Sequence, residues 1–121
     1  MEKLYELQLR EHFKEPRNYG SLERADFLTE EYNPSCGDSI IMQGVVENGI
    51  LVNLVFRGKG CVISQSTASM LTEFSIKKET REILAYTKDD ILRLIGIPLG
   101  PNRLKCALLS LQALQCGLAK V

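Results

Sequence analysis

The stretch SIIMQGVVENGILVNLVF, residues 39–56, decides the fold of this chain. Apolar side chains stand at every second position in two runs, as they do along strands that bury one face. The alternating apolar positions are Ile40, Met42 and Val46 in the first run and Ile50, Val52, Leu54 and Phe56 in the second. The Asn48-Gly49 pair between the runs suits a two-residue type I′ turn, because both residue types tolerate positive φ. The stretch therefore predicts an antiparallel hairpin.

Apolar side chains recur every three or four residues on both sides of the hairpin, which is the spacing of helices. We predict an N-terminal helix over Leu4–Lys14, which Pro16 ends, and a short edge strand over Ala25–Tyr32. A helix after Cys61 has the stripe Ile63, Thr67, Met70, Leu71 and Phe74, of which we assign Met70 and Phe74 to the core. Two shorter helices are predicted over Glu79–Tyr86 and Asp89–Ile95.

The C-terminal helix is predicted from a long apolar stripe that follows Pro98–Pro101. Asn102 is its expected N-cap, and the helix is expected to run for about four turns. Its apolar positions are Leu104, Ala107, Leu108, Leu111, Leu114 and Leu118. Together the segments predict one α+β domain spanning residues 1–121.

The composition excludes some classes of partner. With 121 residues, of which 45% are hydrophobic, the chain can bury one core. Fifteen basic and fifteen acidic residues cancel, so nucleic acid and membranes are not expected partners. The first residues mix charges and lack a secretion signal, which predicts a cytoplasmic protein with reduced cysteines.

Cysteines in three turns or loops are the candidate functional residues. Asn33–Asp38 reads NPSCGD and places the potential metal ligands Cys36 and Asp38 two residues apart in a turn. Cys61 follows a glycine loop ahead of a helix, and Cys106 lies in the predicted first turn of the C-terminal helix. Thiolates favour helix N-termini and bind zinc or iron. From spacing alone, three free buried thiols remain an alternative, as does a purely turn-stabilising role for Asp38.

Two further residues are assigned to structure. Cys116 lies ten residues along the helix from Cys106, about 15 Å away, and is expected to pack rather than share a metal. His12, the one histidine, has no ligand partner at helical spacing and is expected to pack or face the surface. The chain has no Cys-x-x-Cys pair, and no cysteine has an evident general base beside it.

Three ordered cysteine motifs resemble those of the IscU/SufU/NifU N-terminal family. They are Asn33–Asp38, Gly60-Cys61-Val62-Ile63-Ser64 and Arg103-Leu104-Lys105-Cys106, and the leading Glu11-His12-Phe13 and Pro16-Arg17-Asn18 extend the likeness over nearly the whole chain. The resemblance implies a small antiparallel sheet of about three strands with helices packed on one side. It also implies a role in iron–sulfur cluster assembly, as a scaffold for a transient [2Fe–2S] cluster or an acceptor of persulfide sulfur, rather than as a conventional enzyme.

The resemblance assigns roles to particular residues. Cys36, Cys61 and Cys106 would be thiolate ligands and Asp38 the carboxylate ligand of zinc, a [2Fe–2S] cluster or both. A cysteine desulfurase would supply sulfur, to Cys106 as in IscU-type members or Cys36 as in SufU-type ones, and apo iron–sulfur proteins would receive the product. The alternative is a zinc-stabilised protein-interaction module without sulfur transfer.

Departures from the family pattern leave the subtype open. Lys105 stands where IscU-type members carry a histidine, and Leu99–Arg103 replaces the Leu-Pro-Pro-Val-Lys segment that a dedicated chaperone reads. The second change counts against recognition by that chaperone. The sequence around Cys61 and Cys106 is typical of SufU. The extra segment that SufU-type chains have before the third cysteine is, however, missing.

Overall fold

The predicted hairpin is the centre of a three-stranded antiparallel sheet. In the computed structural model, which describes residues 2–121, β2 (Asp38–Glu47) pairs with β3 (Ile50–Lys59). Asn48 and Gly49 have φ values of 52° and 74°, as a type I′ turn requires. The edge strand β1 (Phe27–Asn33) pairs with the other side of β2, so the order is β1-β2-β3. The α+β class and the sheet are confirmed.

One face prediction in the hairpin was wrong. A bulge shifts the register between Val45 and Val46, so that Val46 pairs with Leu51 and β3 gains one unpaired residue. The extra residue reverses the alternation next to the turn: Leu51 is 0% exposed, whereas Val52, assigned to the buried face, is 38% exposed. Beyond the bulge, Leu54 and Phe56 are buried as predicted.

Five helices accompany the sheet. They are α1 (Glu2–Lys14), α2 (Val62–Ser75), α3 (Thr80–Leu84), α4 (Lys88–Ile95) and α5 (Pro101–Leu118). Helices α2 and α5 pack on the sheet and on each other, and α1 packs on α2. None of the helices in residues 2–121 has the length and apolarity that crossing a membrane requires.

Helix α2 is buried along most of its length although it is rich in hydroxyl side chains. All residues from Ile63 to Thr72 are buried, and some of their hydroxyls bond to backbone groups of α1 or of the loop that follows it. Ser66 Oγ donates to Leu9 O at 2.6 Å, and Ser69 Oγ accepts from Arg17 N at 2.8 Å. Phe74, which we assigned to the core, is 41% exposed, because it lies on the solvent side of the last turn of α2, whereas Ser75 beside it is buried.

Helix α5 begins two residues earlier than predicted. Gly100 is its N-cap, and Pro101 occupies the first turn, where the missing amide hydrogen costs nothing. Asn102 is therefore inside the helix, which has 18 residues, and the prediction that it is the N-cap was wrong. For the same reason Cys106 lies in the second turn of α5 rather than the first.

His12 is buried and ties α1 to α2. Its Nδ1 lies 2.7 Å from Ser69 Oγ, and its Nε2 lies 3.6 Å from a carboxylate oxygen of Glu73. Burial lowers the pKa of His12, and the positive charge of Arg17 lowers it further, while Glu73 and Glu11 oppose the shift. The packing role predicted for this residue agrees with these contacts.

The lowered pKa of His12 predicts how stability depends on pH. The unfolded chain takes up the proton more readily than the folded one, so stability present at pH 7 is lost as pH falls below the ordinary histidine pKa. Urea unfolding of the metal-free protein between pH 7 and pH 5 should show a falling free energy of unfolding. His12→Gln should flatten this profile, since the chain has one histidine, and Glu73→Gln should steepen it. An equally steep profile for His12→Gln would contradict the assignment.

Candidate metal centre

Three segments of the chain bring the predicted ligands together. Cys36 lies in the turn between β1 and β2, Asp38 is the first residue of β2, Cys61 caps α2, and Cys106 comes from α5. The sulfurs of Cys36 and Cys106 are 3.4 Å apart, and Cys61 Sγ lies 3.8 Å from Asp38 Oδ2. Ligand atoms of Cys36, Asp38 and Cys106 all lie within 4.8 Å of one another, close enough to hold one metal ion.

The turn that presents Cys36 is organised by Asn33. Its carbonyl oxygen accepts from Cys36 N at 3.3 Å and from Gly37 N at 2.9 Å, and its side-chain oxygen accepts from Ser35 N at 3.2 Å. Gly37 has a φ of 71°, which glycine adopts without strain. Asn33 Nδ2 also lies 4.0 Å from Cys106 Sγ. Asn33 therefore makes the Asx contact of the turn.

Asp38 is fully buried and contacts a residue far from it in sequence. Its side chain is 0% exposed, and its Oδ1 accepts from the backbone amide of Cys61 at 2.9 Å. The alternative role, stabilisation of its own turn, is the one that Asn33 fills. Because Oδ1 is engaged by this amide, Oδ2 faces the thiols as the free donor atom.

The loop before α2 fits closely around Asp38. Gly60 has a φ of 147°, and a Cβ added there would collide with Asp38 Oδ1 and lie 2.9 Å from Ser64 Oγ. Cys61 then caps α2, since its sulfur accepts from Ser64 N at 3.4 Å. The backbone of this loop can therefore reach the carboxylate only because residue 60 has no side chain.

The donor set fits a zinc ion. Thiolate sulfur and carboxylate oxygen are both zinc ligands, and three thiols with one carboxylate supply a tetrahedral set. Cys106 is only 3% exposed, and burial raises its pKa far above the usual range, with Asp38, Cys36 and Cys61 adding to the shift. Without a cation, Cys106 is therefore held as a neutral thiol.

The three thiols open into a cleft between α1 and the first turns of α2 and α5. The cleft has a volume of about 540 Å³. Its lining includes Cys36, Cys61 and Cys106, the apolar side chains of Leu9, Val62, Ile63 and Ile97, and the charged side chains of Glu6, Arg10 and Arg103. The candidate metal centre is thus accessible to a small molecule or a loop of another protein.

Comparison with known proteins places this geometry in a family. Residues 4–121 match the family model described as the NifU-like N terminal domain. The chain belongs to the NifU-like N-terminal domain family. The family predicted from the three cysteine motifs is thereby confirmed.

Relatives of similar sequence are named either as a sulfurtransferase or as cluster assembly scaffold proteins. The chain is 33% identical over 137 residues to the zinc-dependent sulfurtransferase SufU of Bacillus subtilis, covering 99% of this chain and 92% of the relative. It is 31% identical over 112 residues to the iron–sulfur cluster assembly scaffold protein IscU 1 of Archaeoglobus fulgidus, covering 93% of this chain and 72% of the relative.

Solved structures show that the NifU-like fold is shared. A crystal structure from Fervidobacterium islandicum AW-1, described as a cluster assembly scaffold protein for the SUF system, superposes with a TM-score of 0.82. The alignment covers 92% of this chain and 93% of that one at 24% identity. The sheet order and helix packing described above are therefore those of the family.

Cys116 and Lys105 of this NifU-like chain lie outside the metal centre. Cys116 is exposed, with its sulfur 3.8 Å from a carboxylate oxygen of Glu31. The prediction that Cys116 packs was wrong, because α5 directs this position outward beside the edge strand. Lys105 is exposed on α5. Sequence reasoning missed Asn33 and Gly60 as supports of the centre. For Gly60 the available signal is its residue type, because glycine adopts the positive φ observed there without strain.

Thiol reactivity should follow exposure and pKa in the metal-free NifU-like protein. Cys36 and Cys116 are exposed, whereas Cys106 is buried with a raised pKa, so its reactive thiolate is scarce. With limiting iodoacetamide at pH 8 we expect alkylation of Cys36 and Cys116 first and Cys106 last, measured by peptide mass spectrometry. Alkylation of Cys106 ahead of Cys116 would contradict the arrangement described.

Proposed function

We propose that this protein serves iron–sulfur cluster assembly, taking persulfide sulfur from a cysteine desulfurase at a zinc centre formed by Cys36, Asp38, Cys61 and Cys106. One observation carries the proposal: three thiols and a fully buried carboxylate meet at the floor of an open cleft. The names of two relatives, a zinc-dependent sulfurtransferase and a cluster assembly scaffold, support it.

Zinc suits this set of donors as a resident ion. When bound, it would hold the thiols as thiolates and offset the repulsion between four anionic groups. The chain's own part is to fix the donors in place: the Asn33 turn presents Cys36, the Cys61 amide orients Asp38, and α5 brings Cys106 beside them.

Cys36 is the sulfur acceptor in this proposal. Its side chain is exposed and the contact described for its sulfur is with Cys106, whereas Cys61 caps α2 and Cys106 is buried. The Cys36 thiolate attacks the terminal sulfur of the desulfurase persulfide. The sulfur–sulfur bond of the donor breaks, its cysteine leaves as a thiolate, and Cys36 becomes the persulfide, with no net oxidation or reduction.

A scaffold role has its own support. A [2Fe–2S] cluster, as cargo, takes four protein ligands, and the centre offers three sulfurs and the free Oδ2 of Asp38. Apo iron–sulfur proteins would then be the recipients. Both roles need reduced thiols, which the cytoplasm maintains, so we place the function there.

Sulfur labelling tests the proposed function. The zinc-loaded protein is incubated with a purified cysteine desulfurase and [35S]cysteine, and label on the chain is followed on non-reducing gels. We expect wild-type protein and Cys116→Ser to carry label and Cys36→Ser to lose it. Wild-type protein without label, beside a desulfurase that forms its own persulfide, would overturn the proposal in favour of a zinc-stabilised interaction module.

A further inference from the structure

The cleft above the thiols has the size and walls of a small-molecule site. Its volume of about 540 Å³ lies within the range of about 300–1,000 Å³ typical of ligand pockets. Leu9, Ile63 and Ile97 give it apolar walls, and the three thiols lie on its lining. A ligand bound there would contact sulfur atoms directly.

Charges of both signs stand at the cleft without partners. Glu6 and Arg10 on α1 and Arg103 on α5 line it. Among the side chains of residues 3–121, the ion pairs closer than 4.0 Å engage other residues, since Arg17, Arg81 and Arg93 each hold a carboxylate while these three side chains hold none. Two guanidinium groups and one carboxylate are thus available to a ligand.

The charged groups of the cleft indicate the chemical class of its ligand. Guanidinium groups bind carboxylates by paired hydrogen bonds, and a carboxylate binds an ammonium group. A ligand with one carboxylate, one ammonium and a sulfur that reaches the thiols is an amino acid of the cysteine type. We propose that the cleft binds low-molecular-weight persulfides of amino-acid type, with cysteine persulfide as the simplest, and that they deliver sulfur to Cys36 without a carrier protein.

The transfer is balanced in atoms and electrons. The Cys36 thiolate attacks the outer sulfur of the bound persulfide, the sulfur–sulfur bond breaks, and the free amino acid leaves as a thiolate that takes up a proton from water. The sulfur atom keeps its oxidation state. This inference rests on the proposed role of Cys36 as an acceptor and adds a second source of sulfur.

The experiment omits the desulfurase. Zinc-loaded protein is mixed with subsaturating cysteine persulfide, and the mass gain of one sulfur atom on the Cys36 peptide is followed with time. Persulfides of cysteamine, which lacks the carboxylate, and of 3-mercaptopropionate, which lacks the ammonium, are compared on the same wild-type protein. We expect each to transfer sulfur about two- to fivefold more slowly than cysteine persulfide, the loss expected for one exposed ion pair.

Variants locate the binding groups. Arg10→Gln should slow transfer from cysteine persulfide about two- to fivefold and leave transfer from cysteamine persulfide unchanged. Glu6→Gln should slow transfer from cysteine persulfide and leave transfer from 3-mercaptopropionate persulfide, which lacks the ammonium group, unchanged. Lys3→Gln and Lys14→Gln, which alter charges of α1 outside the cleft lining, should match wild type with every donor.

Equal rates for the three persulfides would overturn the inference, as would an unchanged rate in Arg10→Gln with zinc content equal to wild type. Because the donor comparison uses unaltered protein, misfolding cannot produce either result. The two proposals fail differently. If a desulfurase labels Cys36 while small persulfides are not distinguished, only the cleft inference is lost; if Cys36 takes sulfur from neither source, both are lost.

Discussion

Replacing Cys106 by serine is expected to lower zinc affinity by at least about 100-fold, because losing a ligand should cost more than altering a group behind one, which costs about 10- to 100-fold. Its sulfur lies 3.4 Å from that of Cys36, and both share the metal-binding group with Asp38. Serine is nearly isosteric but is a poor zinc ligand at neutral pH, so the fold is kept while a donor is lost. Competition with a chromophoric chelator measures the affinity.

Cys116→Ser is the matched control, since it removes a thiol of the same helix that is exposed and outside the centre. It should bind zinc as wild type does. A 100-fold weaker affinity also removes about 2.7 kcal/mol of zinc-dependent stabilisation, visible in thermal unfolding with and without metal. Equal zinc affinity in Cys106→Ser and Cys116→Ser would show that Cys106 is not a ligand.

Gly60→Ala should damage the same centre without removing any donor. The added methyl group would collide with Asp38 Oδ1, and alanine is strained at a φ of 147°. Asp38 or the loop must then move, which breaks the hydrogen bond from the Cys61 amide. We expect zinc affinity to fall about 10- to 100-fold, as it does when groups behind metal ligands are altered.

Gly100→Ala provides the comparison. It has a φ of −71°, and no atom lies within 4 Å of the position of an added Cβ. It should therefore bind zinc normally and lose little stability. If Gly60→Ala bound zinc as tightly as Gly100→Ala, the close fit of the loop around Asp38 would not contribute to zinc affinity.

Local patterns in the sequence predicted the helices and strands. The errors concern which side chains are buried and where one helix begins. The Asn48-Gly49 turn and the apolar alternation sufficed for the hairpin because both act over a few residues. The bulge at Val52 changes the pairing of one residue, and no residue type in the sequence indicates it. The burial of Leu51 in place of Val52 therefore could not be predicted. The start of α5 could have been found from Pro101, whose fixed φ suits the first turn.

The ligands of the candidate centre could be chosen from sequence because the three cysteine motifs of the family linked them. Their supports could not be chosen in this way. The amide of Cys61 that orients Asp38 belongs to the backbone, which sequence does not distinguish. The charged cleft also depends on α1 and α5 lying on either side of the thiols, and only the tertiary fold places Glu6 and Arg103 together.

The distance in sequence between the ligands governs when the centre can form during synthesis. Cys36 and Cys106 are separated by 70 residues, and their sulfurs meet only once α5 has packed against the sheet. A nascent chain still attached to the ribosome, with α5 inside the exit tunnel, holds Cys36, Asp38 and Cys61 but lacks the fourth donor. The complete set of metal donors is therefore present only in chains whose α5 has packed in place.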